Sequence, residues 1–334
     1  MISHLAMFLI NSDQRQKPMN IVIETSGNEK EWDVFVNNHP DATPYHLSSW
    51  IKAVKEAYGF DYYRLIAKKN DTILGVLPLV HMRLPLKSTS LISVPYGDTA
   101  GILSNDKSTT KALLTAAYDL AQDKGNCDIE LRGNMQYLPE EFTELFRKLP
   151  TNKVRMLLKL PENSEILWDG FKSKLRSQIR KAQKNGLSFE LANHRIDDFY
   201  SVISQNMRDL GSPVHSRKWF CEIIQQYGAN ASLAIVSHEQ RPVGAAITLQ
   251  TGNKVSIPWA STLRKYNKLS PNMLLYWGIL KNAAENGCST FDFGRSTQGE
   301  GTYKFKKQWG AVEHPLEWYR LSSKNTGTQK KSRK

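Results

Sequence analysis

At 334 residues the chain is long for one domain and comfortable for two. Hydrophobic residues make up 40% and charged ones 23%, mean hydropathy is −0.48, and no apolar run approaches the ~20 residues that span a bilayer, which argues against a membrane protein. The net charge of +13 is local: six cations between Lys172 and Lys184 and five from Lys324 to Lys334 supply eleven of it, the pattern of a chain with a polyanionic partner.

The segment Ile2 to Ile10 is apolar but interrupted by His4. It has no basic region before it and no small-residue cleavage site after it, so residues 1–19 read as an N-terminal extension rather than a signal peptide. Cys127, Cys221 and Cys288 form no C-x-x-C pair, so buried thiols in a reducing compartment are expected, and no metal site.

In chain order, a strand-like Ile21–Glu24 comes first. An amphipathic helix then runs from His46-Leu-Ser-Ser-Trp50 to Tyr58, and Gly59 can end it in the left-handed C′ conformation. Strands at Tyr63–Lys68, Ile73–Met82 and Leu91–Val94 follow, then a helix near Ser108–Lys124, a glycine stop and a short alternating strand up to Gly133. Val154–Leu160 is a further strand, and Pro161 opens one helical stretch, Ser164–Asn185, that carries the basic cluster.

After Ser188–Leu191 the pattern returns. His215-Ser-Arg-Lys-Trp219 runs to Tyr227-Gly228 at the spacing of the first helix, and strands at Ala231–Ser237, Pro242–Gln250 and Lys254–Ala260 follow. A helix over Pro271–Asn286, with proline in its first turn, leads to Gly287 and a strand ending at Gly294. Tight turns join the antiparallel strands of each half, and a βαβ-like crossover makes each sheet mixed. The expected fold class is therefore α/β, two tandem units, each a mixed, mainly antiparallel sheet flanked by helices. Their expected extents are 20–160 and 187–321, with a basic helical connector over 161–186 and a disordered basic tail over 322–334.

Four segments then carry a resemblance. They are Trp50 with Leu74-Gly-Val-Leu-Pro-Leu79; Leu175-Arg-Ser-Gln-Ile-Arg-Lys-Ala-Gln-Lys-Asn-Gly186; Asp209-Leu-Gly-Ser-Pro-Val-His215; and Asp292-Phe-Gly-Arg-Ser296 with Gly301-Thr-Tyr-Lys-Phe-Lys-Lys-Gln-Trp-Gly310. In this order they resemble the G-x-L-P-L strand, the R-x-x-I-R-K-A-x-x-x-G helix, a segment of exosortase-associated members, and the closing D-F-G-x-S…K-x-x-W/F-G signature of the FemAB-like tandem GNAT-fold acyltransferases. The likeness spans roughly Trp32 to Leu321. It implies an N-acyl- or aminoacyltransferase acting on an amine of a cell-envelope or exopolysaccharide precursor, an amino sugar or peptide that is lipid-linked. It also implies a cytoplasmic location, peripheral at the inner membrane face, and no tightly bound cofactor. The acyl donor is aminoacyl-tRNA or acyl-CoA. Simple acetyltransferases cradle the coenzyme A pyrophosphate in a glycine-rich loop, but here Leu263-Arg-Lys-Tyr-Asn-Lys-Leu-Ser-Pro271 has no glycine, which puts acyl-CoA in doubt.

Acyl transfer to an amine needs a base and donors for an oxyanion. Asp292 ends a predicted strand and can act as base or orient an ammonium, with Arg295 and Ser296 as binders of phosphate or carboxylate; the plain alternative is a turn cap with an ion pair. Thr297 follows them, and in Tyr303, Lys304, Lys306 and Lys307 an alternating strand-like spacing puts Lys304 and Lys306 on one face and Tyr303 and Lys307 on the other, an anion-binding run or a solvated surface. Tyr96 and Asp98, in Pro95-Tyr-Gly-Asp98, face an interdomain cleft or merely make a turn. Asn206 and Arg208, read as substrate-binding, lie on a helix before Gly211-Ser-Pro213, His215 serves helix entry, and Trp259 and Ser261 line the acyl site. Arg176, Arg180 and Lys181 are the donor-binding cations, contacting tRNA or, as a solvated helix, nothing. An acyl-CoA-dependent N-acetyltransferase and a non-catalytic RNA- or sugar-binding protein are the alternatives.

Overall fold

The computed structural model describes residues 20–24, 29–83, 89–133 and 135–322, so the extension over 1–19 and the tail beyond Ser322 lie outside the described residues. The first part of the chain forms β1 (Asn20–Glu24), α1 (Glu29–Asn38), α2 (Ser48–Tyr58), β2 (Asp61–Lys69), β3 (Thr72–Met82), β4 (Ser90–Ile92), β5 (Leu103–Ser104), α3 (Lys107–Asp123), β6 (Asp128–Arg132), α4 (Glu140–Thr143) and β7 (Arg147–Lys148). Then come β8 (Lys153–Lys159), α5 (Ser164–Gly170), α6 (Ser173–Lys184), β9 (Leu187–Leu191), α7 (Ile196–Asp209), α8 (Arg217–Tyr227), β10 (Ala231–His238), β11 (Arg241–Thr251), β12 (Lys254–Thr262), α9 (Pro271–Glu285), β13 (Thr290–Thr297), α10 (Gly301–Gln308), β14 (Val312–Pro315) and β15 (Trp318–Leu321).

The long strands β2, β3, β10 and β11 are apolar on both faces because helices cover both sides of each sheet. The same tight turn joins each pair. Asn70 and Asp71 (φ 49° and 62°) in one half are matched by Glu239 and Gln240 (φ 49° and 64°) in the other, both in the left-handed region that suits a two-residue hairpin. One sheet runs β1-β2-β3-β4-β6-β15-β7, with β5 on β3; the other runs β14-β8-β13-β12-β11-β10-β9. Among the described residues only β4·β6 and β12·β13 are parallel, so both sheets are mixed and mainly antiparallel, as the α/β expectation has it.

Two features depart from the sequence reading. First, each sheet borrows a strand: β8, which precedes the expected joint, pairs with β13, and β15 from the chain's end pairs with β6. Each crossover strand would otherwise expose an open edge. Second, the expected single helix over Ser164–Asn185 is two. Phe171 adopts extended backbone (φ −78°, ψ 142°) and turns its ring onto Trp277 and Trp309, so the chain breaks there. In α6, Leu175, Ile179 and Ala182 then form the buried stripe and leave the cations outside.

The repeated helices pack against each other. Trp50 and Trp219, the matched tryptophans, meet edge to face at 5.2 Å. Tyr227 Oη donates to Pro44 O (2.8 Å), while Tyr58 Oη shares a hydrogen bond with His215 Nδ1 (2.8 Å). Each helix thus bonds the segment that leads into the other, and one apolar core crosses the seam. Gly59 is left-handed (φ 76°, ψ 11°) as expected, whereas Gly228 (φ 52°, ψ −121°) leaves its helix differently.

The glycine of the Leu74–Leu79 motif has a packing reason. A Cβ on Gly75 would come within 2.5 Å of Thr109 Cγ2 and 2.8 Å of Leu103 O, where α3 and β5 press on β3. Gly75→Ala is expected to cost about 1–3 kcal/mol of stability, read by denaturant unfolding.

Candidate active site

The strands β12 and β13 pair only over Lys254–Ser256 and Thr290–Asp292, then part. On its other side β13 shifts register between Asp292 and Arg295, with Gly294 left-handed (φ 71°) in the bulge. That kink turns Asp292 inward and leaves Arg295 exposed.

The buried Asp292 is fully engaged: Oδ2 accepts from Arg155 Nε at 2.6 Å and Oδ1 from the Gly294 backbone N–H at 2.8 Å. Burial opposes the charge on Arg155, but Asp292 outweighs it and its pKa is raised.

Across the seam, the Pro95–Asp98 turn delivers Asp98. Its Oδ2 accepts from the Arg295 backbone N–H (3.2 Å), its Oδ1 lies 3.4 Å from Arg295 Nε, and Trp318 Nε1 donates to its carbonyl (3.0 Å). Burial pushes the Asp98 carboxyl up; Arg295 opposes this and the Asp292 charge reinforces it.

The third charged group is Lys306 on α10, 7% exposed, whose Nζ donates to Gly294 O (3.1 Å) and Arg295 O (2.8 Å). Burial lowers its pKa to about 8, against the pull of Asp292 and Asp98. The unfolded lysine holds its proton up to about 10.5 and the folded one only to about 8, so between these values the unfolded state binds more protons. Stability is expected to rise with pH across this window, by on the order of 3 kcal/mol, and Lys306→Met to flatten that rise in pH-dependent unfolding.

Aromatic side chains border these charges. Tyr96 (φ 65°) sets its ring 5.1 Å from His215 and 5.0 Å from Tyr58. Trp259 stacks on Trp50 at 6.0 Å, and Ser261 Oγ accepts from Asn206 Nδ2 at 3.1 Å. Thus Tyr96, Asp98, Trp259, Asp292 and Arg295 lie where the two halves touch, whereas Asn206 and Ser261 bond each other within the second half. His215 holds both Tyr58 and Tyr96 at the seam, more than a helix entry. Its echo His46 is instead wholly buried, with its ring bonded to Thr43 and its pKa lowered by burial to about 3.

The rest of the expected set is placed otherwise. Ser296 Oγ is buried without a hydrogen-bond partner among the described residues, and Thr297 Oγ1 accepts from Lys153. Residues 301–308 are a helix, not an alternating strand, because period 3.6 carries Phe305 and Trp309 into the core and Lys306 onto the β13 carbonyls. Tyr303 then bonds Glu313 (2.6 Å) with Lys307 over its ring, and Lys304 is exposed. Arg208 bonds Gln205 on its own helix. On α6, Arg176 faces Asp169 (3.5 Å) and Arg180 lies over Trp168, which leaves Lys181 alone of the three without either kind of partner among the described residues.

Sequence reasoning missed Arg155 and gave Lys306 a different role. A lone arginine inside an apolar strand was the signal for the first. Lys306 is the lysine of the K-x-x-W signature, which a strand reading put beside Lys304 as an anion binder and the helix instead turns onto the β13 carbonyls. A cavity of about 640 Å³, lined by residues of α1, Asp71, Ile73 and Asn105, touches neither Asp98 nor Asp292.

Comparison with known proteins agrees with this architecture. A family model described as an acetyltransferase (GNAT) domain matches residues 170–307. The Lipid II:glycine glycyltransferase of Staphylococcus epidermidis is 20% identical over 84% of this chain and 88% of its own length, and that of Staphylococcus aureus is 18% identical with the same coverage. Among solved structures, FemX superposes with a TM-score of 0.78 over 93% of this chain and all of its own, at 16% identity. A tandem GNAT protein from the clavulanic acid biosynthesis pathway gives 0.57 over 92% of this chain and 99% of its own, at 10% identity.

Proposed function

We propose that this chain, which is similar to the FemAB-like tandem GNAT-fold acyltransferases, transfers an aminoacyl group to an amine on a lipid-linked cell-envelope or exopolysaccharide precursor. The observation that carries the reading is the meeting of Asp98, from one half, with Arg295 and Lys306, from the other, at the parting of β12 and β13. The named activity of the staphylococcal relatives supports the lipid-linked acceptor.

In this reading the acceptor nitrogen attacks the acyl carbonyl; a C–N bond forms and the ester C–O bond to the donor breaks. Asp98 takes the amine proton, because its carboxylate is only loosely held whereas both oxygens of Asp292 are occupied. Asp292 orients β13. Lys306 spends two N–H groups on carbonyls and keeps a third for the oxyanion. Tyr96 and Trp259 flank the acceptor. Aminoacyl-tRNA is favoured as donor because the segment before α9 offers side chains where a pyrophosphate needs amides: Arg264–Leu269 coils as a 3₁₀ turn, and Pro271 brings no N–H to the helix start. Lys181 with Lys304 is the contact for its polyanionic backbone.

No helix among the described residues is long and apolar enough to cross a membrane, and the proposed location is the inner membrane face, held peripherally. The test is mass gain on an acceptor amine incubated with charged tRNA or with acyl-CoA. Gain with charged tRNA is expected. Gain with acyl-CoA alone would overturn the donor, and gain with neither would overturn the function.

A further inference from the structure

A lipid-linked amine can reach the seam only if the mouth of the site faces the bilayer, so the surface at that mouth is informative. The loop after α7 leads straight into His215, whose ring touches Tyr96. At its tip Leu210 is 52% exposed and Pro213 is exposed beside it. Arg264 Nη1 donates to Asp209 O (3.4 Å), tying this loop to the 3₁₀ turn. Asn185 Nδ2 donates to Leu269 O (3.3 Å), tying that turn to the end of α6, and the Tyr266 ring lies 6.0 Å from His238 in the β10–β11 hairpin.

These contacts link the segments that carry the exposed Lys184, Arg241, Arg264, Lys265 and Lys268 to the loop of Leu210. None of the five forms an ion pair among the described residues. The carboxylates on the same segments are Asp209, whose Oδ1 accepts from Gln205, and Glu239. An apolar tip with uncompensated cations on the segments linked to it matches the boundary of an anionic bilayer, where the leucine enters the acyl edge and the cations meet headgroup phosphates. A nucleic-acid backbone would use the cations and leave Leu210 without a role.

From this juxtaposition we infer that the Leu210 loop and the Arg264–Leu269 turn dock the enzyme onto anionic phospholipid with the mouth of the site facing the membrane. The inference rests on the lipid-linked acceptor proposed above. It is tested by flotation of the full chain with vesicles of phosphatidylcholine alone or of phosphatidylcholine with phosphatidylglycerol. Binding to the anionic vesicles only, weakened by salt, is expected. Lys265→Ala/Lys268→Ala should weaken it roughly 5-fold for each charge removed. Leu210→Ser should weaken it at unchanged charge and keep full activity on a lipid-free acceptor, and both variants should keep wild-type melting. Equal binding to both vesicles, no binding, or wild-type binding by the double variant would overturn the inference. So would loss of RNA retention by the double variant with vesicle binding intact, which would make the face a nucleic-acid surface. If vesicle binding follows expectation but no acceptor amine gains mass, the acceptor reading fails and the docking face stands.

Discussion

Asp98→Asn is expected to lower acyl transfer about 100- to 10,000-fold, the range for loss of a positioned general base, while thermal unfolding stays close to wild type. The amide keeps the shape of the side chain and can still lie against Arg295, but it cannot take a proton. Asp98 is the candidate because of how differently the two carboxylates are held. Asp292 is clamped by Arg155 at 2.6 Å and by a backbone N–H at 2.8 Å, whereas the contacts to Asp98 are 3.2 and 3.4 Å. Its raised pKa adds a signature: activity should fall as pH drops through a value above the usual carboxylate range, and Asp98→Glu should retain part of the rate with an altered profile. If Asp98→Asn transfers at the wild-type rate while Asp292→Asn does not, the roles are reversed.

Arg155→Met is expected to destabilise the protein by about 3–5 kcal/mol, because removing one partner of a buried pair strands the other's charge. Asp292 is buried and the Arg155 side chain is only 20% exposed, so solvent replaces little of the lost attraction. The pair also spans β8 and β13, and its loss loosens the kink that sets the carbonyls held by Lys306. Chemical denaturation gives the cost, and Arg155→Met/Asp292→Leu gives the control. The double variant should recover much of the stability and none of the activity, since the β13 kink loses its N–H anchor at Gly294. A single variant as stable as wild type would mean that the pair is not a structural anchor.

Much of this architecture was legible before any coordinates. Helix, three strands, helix, strand recurs with matched tryptophans and tyrosines, and periodicity alone separates a period of 3.6 from one of 2. Local chemistry settles the turns, because Asn-Asp at 70–71 and glycine at 59 answer to backbone conformation and little else. Strand exchange was hidden: whether Lys153–Lys159 pairs with β13 or with its own half depends on which edge is free, and no pattern within seven residues encodes that. The break at Phe171 was hidden for a similar reason, since a helical register continues through it and only the tryptophan pocket beyond argues for an extended residue.

The candidate site divides along the same line. Residue type and strand-end position pointed to Asp98, Asp292, Arg295, Tyr96 and Trp259, because carboxylates, guanidiniums and aromatic rings at strand ends carry chemistry in α/β folds wherever they occur. Which carboxylate is clamped and which is free was decided by Arg155, 137 residues before Asp292, and by a lysine that only helical geometry brings onto β13. Composition and period act over a few residues and so belong to the chain itself. Pairing, burial and the pKa shifts that follow from them arise between segments far apart in sequence, and these belong to the folded molecule alone.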